Sequence, residues 1–324
     1  MNHRTNRIAT TPLCRLMVGV LATMGLVGPA QAQPATFSFG VIARSLTTAT
    51  DASALRDALT DSDADNLAFV VANGIKASNE PCTDTLYEQR KVILQEAKNG
   101  VVLSLTASDW SACTNTQGRS AAIDRLTRLR DLFFTGEFSL GATRIPVLRQ
   151  SAMPKFRSYV ENVRWEVGDV LFATINIPAD NNHYLTDAGR NSEFEDRIIA
   201  NKDWLQRLHL FASQKKLAGI VLFCDGNPLR EPDPVGFFSP PAKRDGFAET
   251  RQMIEATATK YAGKILVIHA QNDTDNTTSK DITWNNNLGH LDVNGSWLKL
   301  TVNATGPTLF SVQRETVEAR NEIR

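Results

Sequence analysis

Leu67-Ala68-Phe69-Val70-Val71, residues 83–98 and Val101-Val102-Leu103-Ser104-Leu105 together decide the fold class. The first and third stretches are short, continuous apolar runs, the pattern of strands buried on both faces. The segment between them places Leu86, Ile93 and Leu94 on one helical face. Apolar strands alternating with amphipathic helices signal an α/β domain around a buried sheet.

The alternation continues in both directions. Residues 37–42 form an apolar strand, and 51–59 a helix capped by Thr50 or Asp51. Residues 116–134 read as a longer helix. Residues 159–167 and 170–177 flank Gly168-Asp169 and read as a hairpin. A helix over 191–214 carries Trp204, Leu205, Leu208 and Phe211; a strand over 219–223, a helix over 247–261 and a strand over 264–268 follow. Residues 228–241 are a proline-rich loop, and 296–302 with 308–313 form a closing antiparallel pair. The expected fold class is α/β, with two packed mixed β-sheets flanked by helices.

Composition narrows the function classes. The chain has 324 residues, 42% hydrophobic and 22% charged, which excludes disordered, collagen-like and coiled-coil chains. Lys plus Arg and Asp plus Glu both number 35, and aromatics are only 7%, so no nucleic-acid partner is expected. Residues 1–32 read as a signal peptide. Arg4, Arg7 and Arg15 precede the apolar run 16–27, then come Pro29 and the Ala30-Gln31-Ala32 cleavage site. Its removal leaves 32 basic and 35 acidic residues, a net charge of −3. A periplasmic or secreted protein with no membrane span after cleavage is expected, its single domain covering 33–324. In an oxidising compartment Cys82 and Cys113, each in a polar loop, are the expected disulfide. Cys224 follows Ile220-Val221-Leu222-Phe223 and reads as a buried strand-end thiol.

Ligands in such a sheet gather at strand ends. Those ends are Ile42-Ala43-Arg44-Ser45, Ala72-Asn73-Gly74-Ile75-Lys76, Thr106-Ala107-Ser108-Asp109-Trp110, Cys224-Asp225-Gly226-Asn227-Pro228 and His269-Ala270-Gln271-Asn272-Asp273. With Pro81-Cys82-Thr83-Asp84-Thr85-Leu86-Tyr87-Glu88-Gln89-Arg90-Lys91 and Asp109-Trp110-Ser111-Ala112-Cys113, they resemble the calcineurin-like metallophosphoesterase family, in its secreted bacterial branch. The resemblance covers about residues 37–314 and includes both cysteines. It implies an αββα sandwich. It also implies two divalent metals held by Asp, Asn and His on strand-end loops, where they bind phosphate oxygens and turn water into hydroxide.

The chain departs from that pattern at most ligand positions. Ala43 and Ser45 stand in the D-x-H motif, Gly74 at the bridging aspartate, Ala107 and Ser108 in the G-D-N loop, and Asp273 at a late histidine. Asp225 falls where another histidine is expected. These are read as vestigial metal positions, so no cofactor is expected. The alternative is one divalent cation on Asp225, Asp273 or Asp275. Asn73, Trp110, Asn181 and Asn182 are candidate ligand contacts; the last two match an asparagine pair near the family's site.

Other chemistries have weaker signals. No G-x-S-x-G elbow exists. His183 and His290, both placed in polar loops, and His269 are the candidates for acid–base work. Asp61-Ser62-Asp63-Ala64-Asp65-Asn66 starts like a calcium loop but lacks the turn glycine, and its twelfth position is Ala72. The expectation is an exported metallophosphoesterase-like protein, catalytically degenerate and acting by binding an unknown small molecule or protein. The alternative is an active phosphoesterase or hydrolase with a rebuilt or single-metal site.

Overall fold

The computed structural model describes residues 1, 36–43, 52–185, 191–231, 244–270, 281–293 and 297–313. All the elements below belong to the unit Gln33–Arg324. The first half builds β1 (Thr36–Ala43), α1 (Ser53–Asp63), β2 (Val70–Asn73), α2 (Asp84–Glu96), β3 (Val101–Ser104) and α3 (Ala122–Phe133). Next come β4 (Leu148–Arg149), β5 (Val163–Val167), β6 (Val170–Thr174) and the four-residue turn α4 (Ala179–Asn182). The remainder is α5 (Ser192–Lys215), β7 (Gly219–Phe223), α6 (Ala248–Lys260), β8 (Lys264–His269), β9 (Thr283–Asn285), β10 (Leu288–Asp292), β11 (Leu298–Asn303) and β12 (Phe310–Gln313).

The strands form two mixed sheets, in the orders β12-β11-β1-β2-β3 and β4-β5-β6-β7-β8-β10-β9. β1, β2 and β3 run parallel, as do β6, β7, β8 and β10. The expected α/β class with two packed sheets is therefore what the chain adopts. Three apolar layers hold it together. Phe39 and Phe69 of the first sheet pack against Trp165, Phe172 and Phe223 of the second, with the Phe69–Phe172 rings 4.8 Å apart. Leu55, Tyr87, Leu94, Leu126 and Leu129 seat α1, α2 and α3 on the outer face of the first sheet. Trp204, Leu208 and Ile254 seat α5 and α6 on the outer face of the second. Strands buried on both faces explain why 67–71, 101–105 and 219–223 read as unbroken apolar runs.

Several boundaries move for local reasons. The α3 helix starts at Ala122 rather than 116, because Asn115 Oδ1 accepts from the Gln117 and Arg119 amides and folds that stretch into a turn. The helix over 53–63 outlasts the expected 59, and its N-cap Ala52 makes no side-chain bond; Thr50 and Asp51 lie outside the described residues. His290 is not in a polar loop as expected. It lies on β10, which pairs with β8 in parallel and turns back to β9 at Asn286, where φ is 57°. That strand was missed because Leu288-Gly289-His290-Leu291-Asp292 lacks the β-branched run that marked the others. The acidic 61–66 stretch ends α1, and Asp63 accepts from the Lys98 and Asn99 amides at 2.8 and 2.9 Å. Among the described residues no helix is long and apolar enough to cross a membrane.

Cys82 and Cys113 are bonded, with Cα atoms 5.9 Å apart, while Cys224 is free and buried. The bridge spans 31 residues and ties the start of α2 to the loop after β3. Reducing it is expected to cost ~3.5 kcal/mol in the chain-entropy treatment. Denaturant melts with and without reductant would measure this, and an unchanged midpoint would refute it.

Candidate strand-end site

Register brings the parallel strand ends side by side. Ala43 on β1 pairs with Asn73 on β2, which pairs with Ser104 on β3. From there the two sheets are stitched together by side chains. Asn73 is fully buried and donates from Nδ2 to the Cys224 carbonyl at the end of β7, 2.7 Å away. Its Oδ1 has no partner among the described residues.

Two buried carboxylates organise the loops. Asp109 accepts from the Ile75 amide through Oδ1 at 3.1 Å and from the Thr106 amide through Oδ2 at 2.8 Å. Asp225 takes the Ala107 amide at 2.6 Å and the Ala179 amide at 2.7 Å, both through Oδ2. Ala107 follows β3 of the first sheet and Ala179 follows β6 of the second. One carboxylate oxygen therefore joins the two sheets. Burial pushes the Asp225 carboxyl up to about 7, with the Asp109 charge adding to the rise and the two amide bonds opposing it. Burial also raises Asp109, against its own amide bonds.

The positions read as metal vestiges have other occupations. Ala43 is fully buried core. Gly74 has φ +86°, and a Cβ added there would lie 2.9 Å from both Oγ1 and Cγ2 of Thr106. An aspartate there, as the resemblance would place, would thus crowd Thr106 and strain the backbone. The Gly74→Asp variant is expected to lose ~1–3 kcal/mol and to gain no metal affinity; calorimetry with manganese checks both. Ser108 is nearly buried, with Oγ 3.3 Å from the Thr106 hydroxyl. Ser45, Asp273 and Asp275 lie outside the described residues. Among those described, no three His, Cys, Asp or Glu side chains gather as a metal site.

The histidines separate. His269, fully buried at the end of β8, stacks on His290 with ring centroids 5.8 Å apart. His183 instead packs edge-on to Trp110 at 5.0 Å, and burial lowers its pKa. Asp180, Asn181, Asn182 and His183 all have φ between 54° and 59°, four successive left-handed residues. Asx-type side chains tolerate this region best, and the turn is clasped from outside. Asn181 Nδ2 donates to the Arg244 carbonyl, and Asn182 Nδ2 donates to that of Gly246. Arg197 of α5, wholly buried, donates to Asn182 Oδ1 at 2.5 Å and to Glu193, and lies over the Trp110 ring. Trp110 is fully buried, and its Nε1 has no partner among the described residues.

No family model and no curated protein matches the chain. Sequence reading named Asn73, Trp110 and Asp225 but gave no role to Asp109, although Asp109-Trp110 was in view. Arg197 carried no signal, because a buried arginine inside an amphipathic helix reads as a surface residue until its partners are known.

Proposed function

We propose that the protein is an exported, metallophosphoesterase-like binding protein without metal-dependent phosphoesterase chemistry. The observation that carries this reading is the use made of Asp225. In the resemblance, strand-end side chains hold metals that tie the loops together. Here Asp225 Oδ2 takes two backbone amides, from loops of different sheets, and each Asp109 oxygen takes one. Gly74 has no room for the bridging carboxylate. Among the described residues the donor set does not fit a metal pair that would turn water into hydroxide. The disulfide supports an oxidising compartment. A single cation on Asp225 would have to meet Oδ1, because Oδ2 already takes the Ala107 and Ala179 amides.

The test is hydrolysis of p-nitrophenyl phosphate and bis(p-nitrophenyl) phosphate with manganese, iron or zinc added. No turnover above the metal-only rate is expected. Metal-dependent turnover abolished by chelator would overturn the reading.

A further inference from the structure

A cavity of about 760 Å³ opens beside the Cys82–Cys113 bridge, outside the carboxyl ends of β2 and β3. Its volume is in the range of small-molecule sites, and its place is where ligands of open α/β sheets bind. Lys76 and Ser108, from the two strand-end loops, form one side, and Asp124 and Arg125 of α3 form another.

The chemistry of the wall selects among ligand classes. Charges of both signs line it, but most are already tied to groups of the protein. Glu80 is held by Arg90 at 2.5 Å and by the Ala77 amide at 2.7 Å. Asp84 is held by Arg125 at 2.7 Å and Arg128 at 3.3 Å. Lys76 Nζ donates to the Ala77 carbonyl at 2.9 Å. A charged ligand would have to compete with these pairs while meeting like charge nearby. The apolar part of the wall is Pro81, Ala112, Ala121 and the disulfide, all small. It offers no pocket to seat a leucine or aromatic anchor, which a peptide needs for affinity. What remains is a rim of hydroxyls and an amide, from Ser78, Thr83, Thr114, Asn115 and Thr116. Thr83 Oγ1 also accepts from the Leu86 amide and Asn115 Oδ1 from the Gln117 and Arg119 amides, so these two offer mainly donors, while the Ser78, Thr114 and Thr116 hydroxyls can both donate and accept.

We propose that this cavity binds an uncharged, polyhydroxylated ligand of oligosaccharide type, giving the binding reading above its ligand class. Hydroxyl groups of the ligand pair with the rim, and its C–H faces lie on Pro81, the alanines and the disulfide. The inference rests on that binding reading, and the two fail in different ways.

The experiment is isothermal calorimetry of the mature protein against maltotriose, cellotriose and chitotriose, with trigalacturonate and triglycine as comparators. Ala112 is exposed on the cavity wall, so Ala112→Trp fills the space without touching the core. At least one neutral trisaccharide is expected to bind with Kd of ~1 mM or tighter, and to weaken at least tenfold in the Ala112→Trp variant at unchanged Tm. No binding by any neutral trisaccharide overturns the proposal. So does tighter binding of trigalacturonate or triglycine, or affinity that survives Ala112→Trp. Phosphoester turnover in the separate assay would sink the binding reading while leaving the calorimetry result to stand.

Discussion

Asp225→Ala is expected to destabilise the fold by ~2–4 kcal/mol, because it leaves the buried Ala107 amide and the half-buried Ala179 amide without an acceptor. Those amides belong to loops of different sheets, so the loss also loosens the seam between them. Asp225→Asn keeps an acceptor oxygen in place and is expected to retain most of the stability. The pH dependence gives a second readout. The folded carboxyl sits at about 7, above the ~3.9 of an unfolded chain. The folded state therefore holds the proton longer than the unfolded one. Its stabilising contribution is complete below about pH 4, is lost as pH rises toward 7, and is constant above that. Urea midpoints from pH 4 to 8 should fall across this window in the wild type. The fall should be shallower in Asp225→Asn. Equal slopes in the two proteins would show that another group carries the titration.

Arg197→Ala is expected to cost ~2–4 kcal/mol, because it removes a buried guanidinium together with its hydrogen bonds to a half-buried carboxylate and to buried carbonyl and amide oxygens. The guanidinium is fully buried and bonds Glu193 twice, at 2.7 and 3.1 Å. It also donates to the Asn182 side chain and carbonyl, and to the Asn176 carbonyl. Its loss leaves Glu193 without its partner and removes the clamp from four left-handed residues. Arg197→Lys keeps the charge without the planar fork, and should fall between wild type and Arg197→Ala. Tryptophan emission separates a local from a global effect, since Arg197 lies over Trp110. A variant as stable as wild type, with unchanged emission, would refute this role.

The fold was legible wherever burial on both faces imposed one composition. The runs 67–71, 101–105 and 219–223 could hardly be surface, and the helices between them showed a single apolar face. The hairpin at Gly168-Asp169 was equally plain, since Gly168 has φ +57° and β5 pairs antiparallel with β6. The β9–β10 pair was not legible. Its glycine and histidine have low strand propensity, and pairing with β8 holds it in place. At the site, sequence spacing put Asn73, Gly74, Ser108 and Asp225 at strand ends. It could not show that Asp225 bonds amides from two loops, because Ala107 and Ala179 contribute backbone and carry no side-chain signal. The separation of His183 from the stacked His269 and His290 was hidden for a similar reason, as it depends on which strand neighbours which.

The most direct test of the central claim is elemental analysis of the protein purified from medium supplemented with manganese, iron and zinc, paired with melting in chelator. If carboxylate–amide bonds tie the strand ends where metals would otherwise do so, metal content is far below one ion per chain and Tm is the same with and without chelator. Two tightly bound ions per chain, with a drop in Tm when chelator removes them, would contradict it.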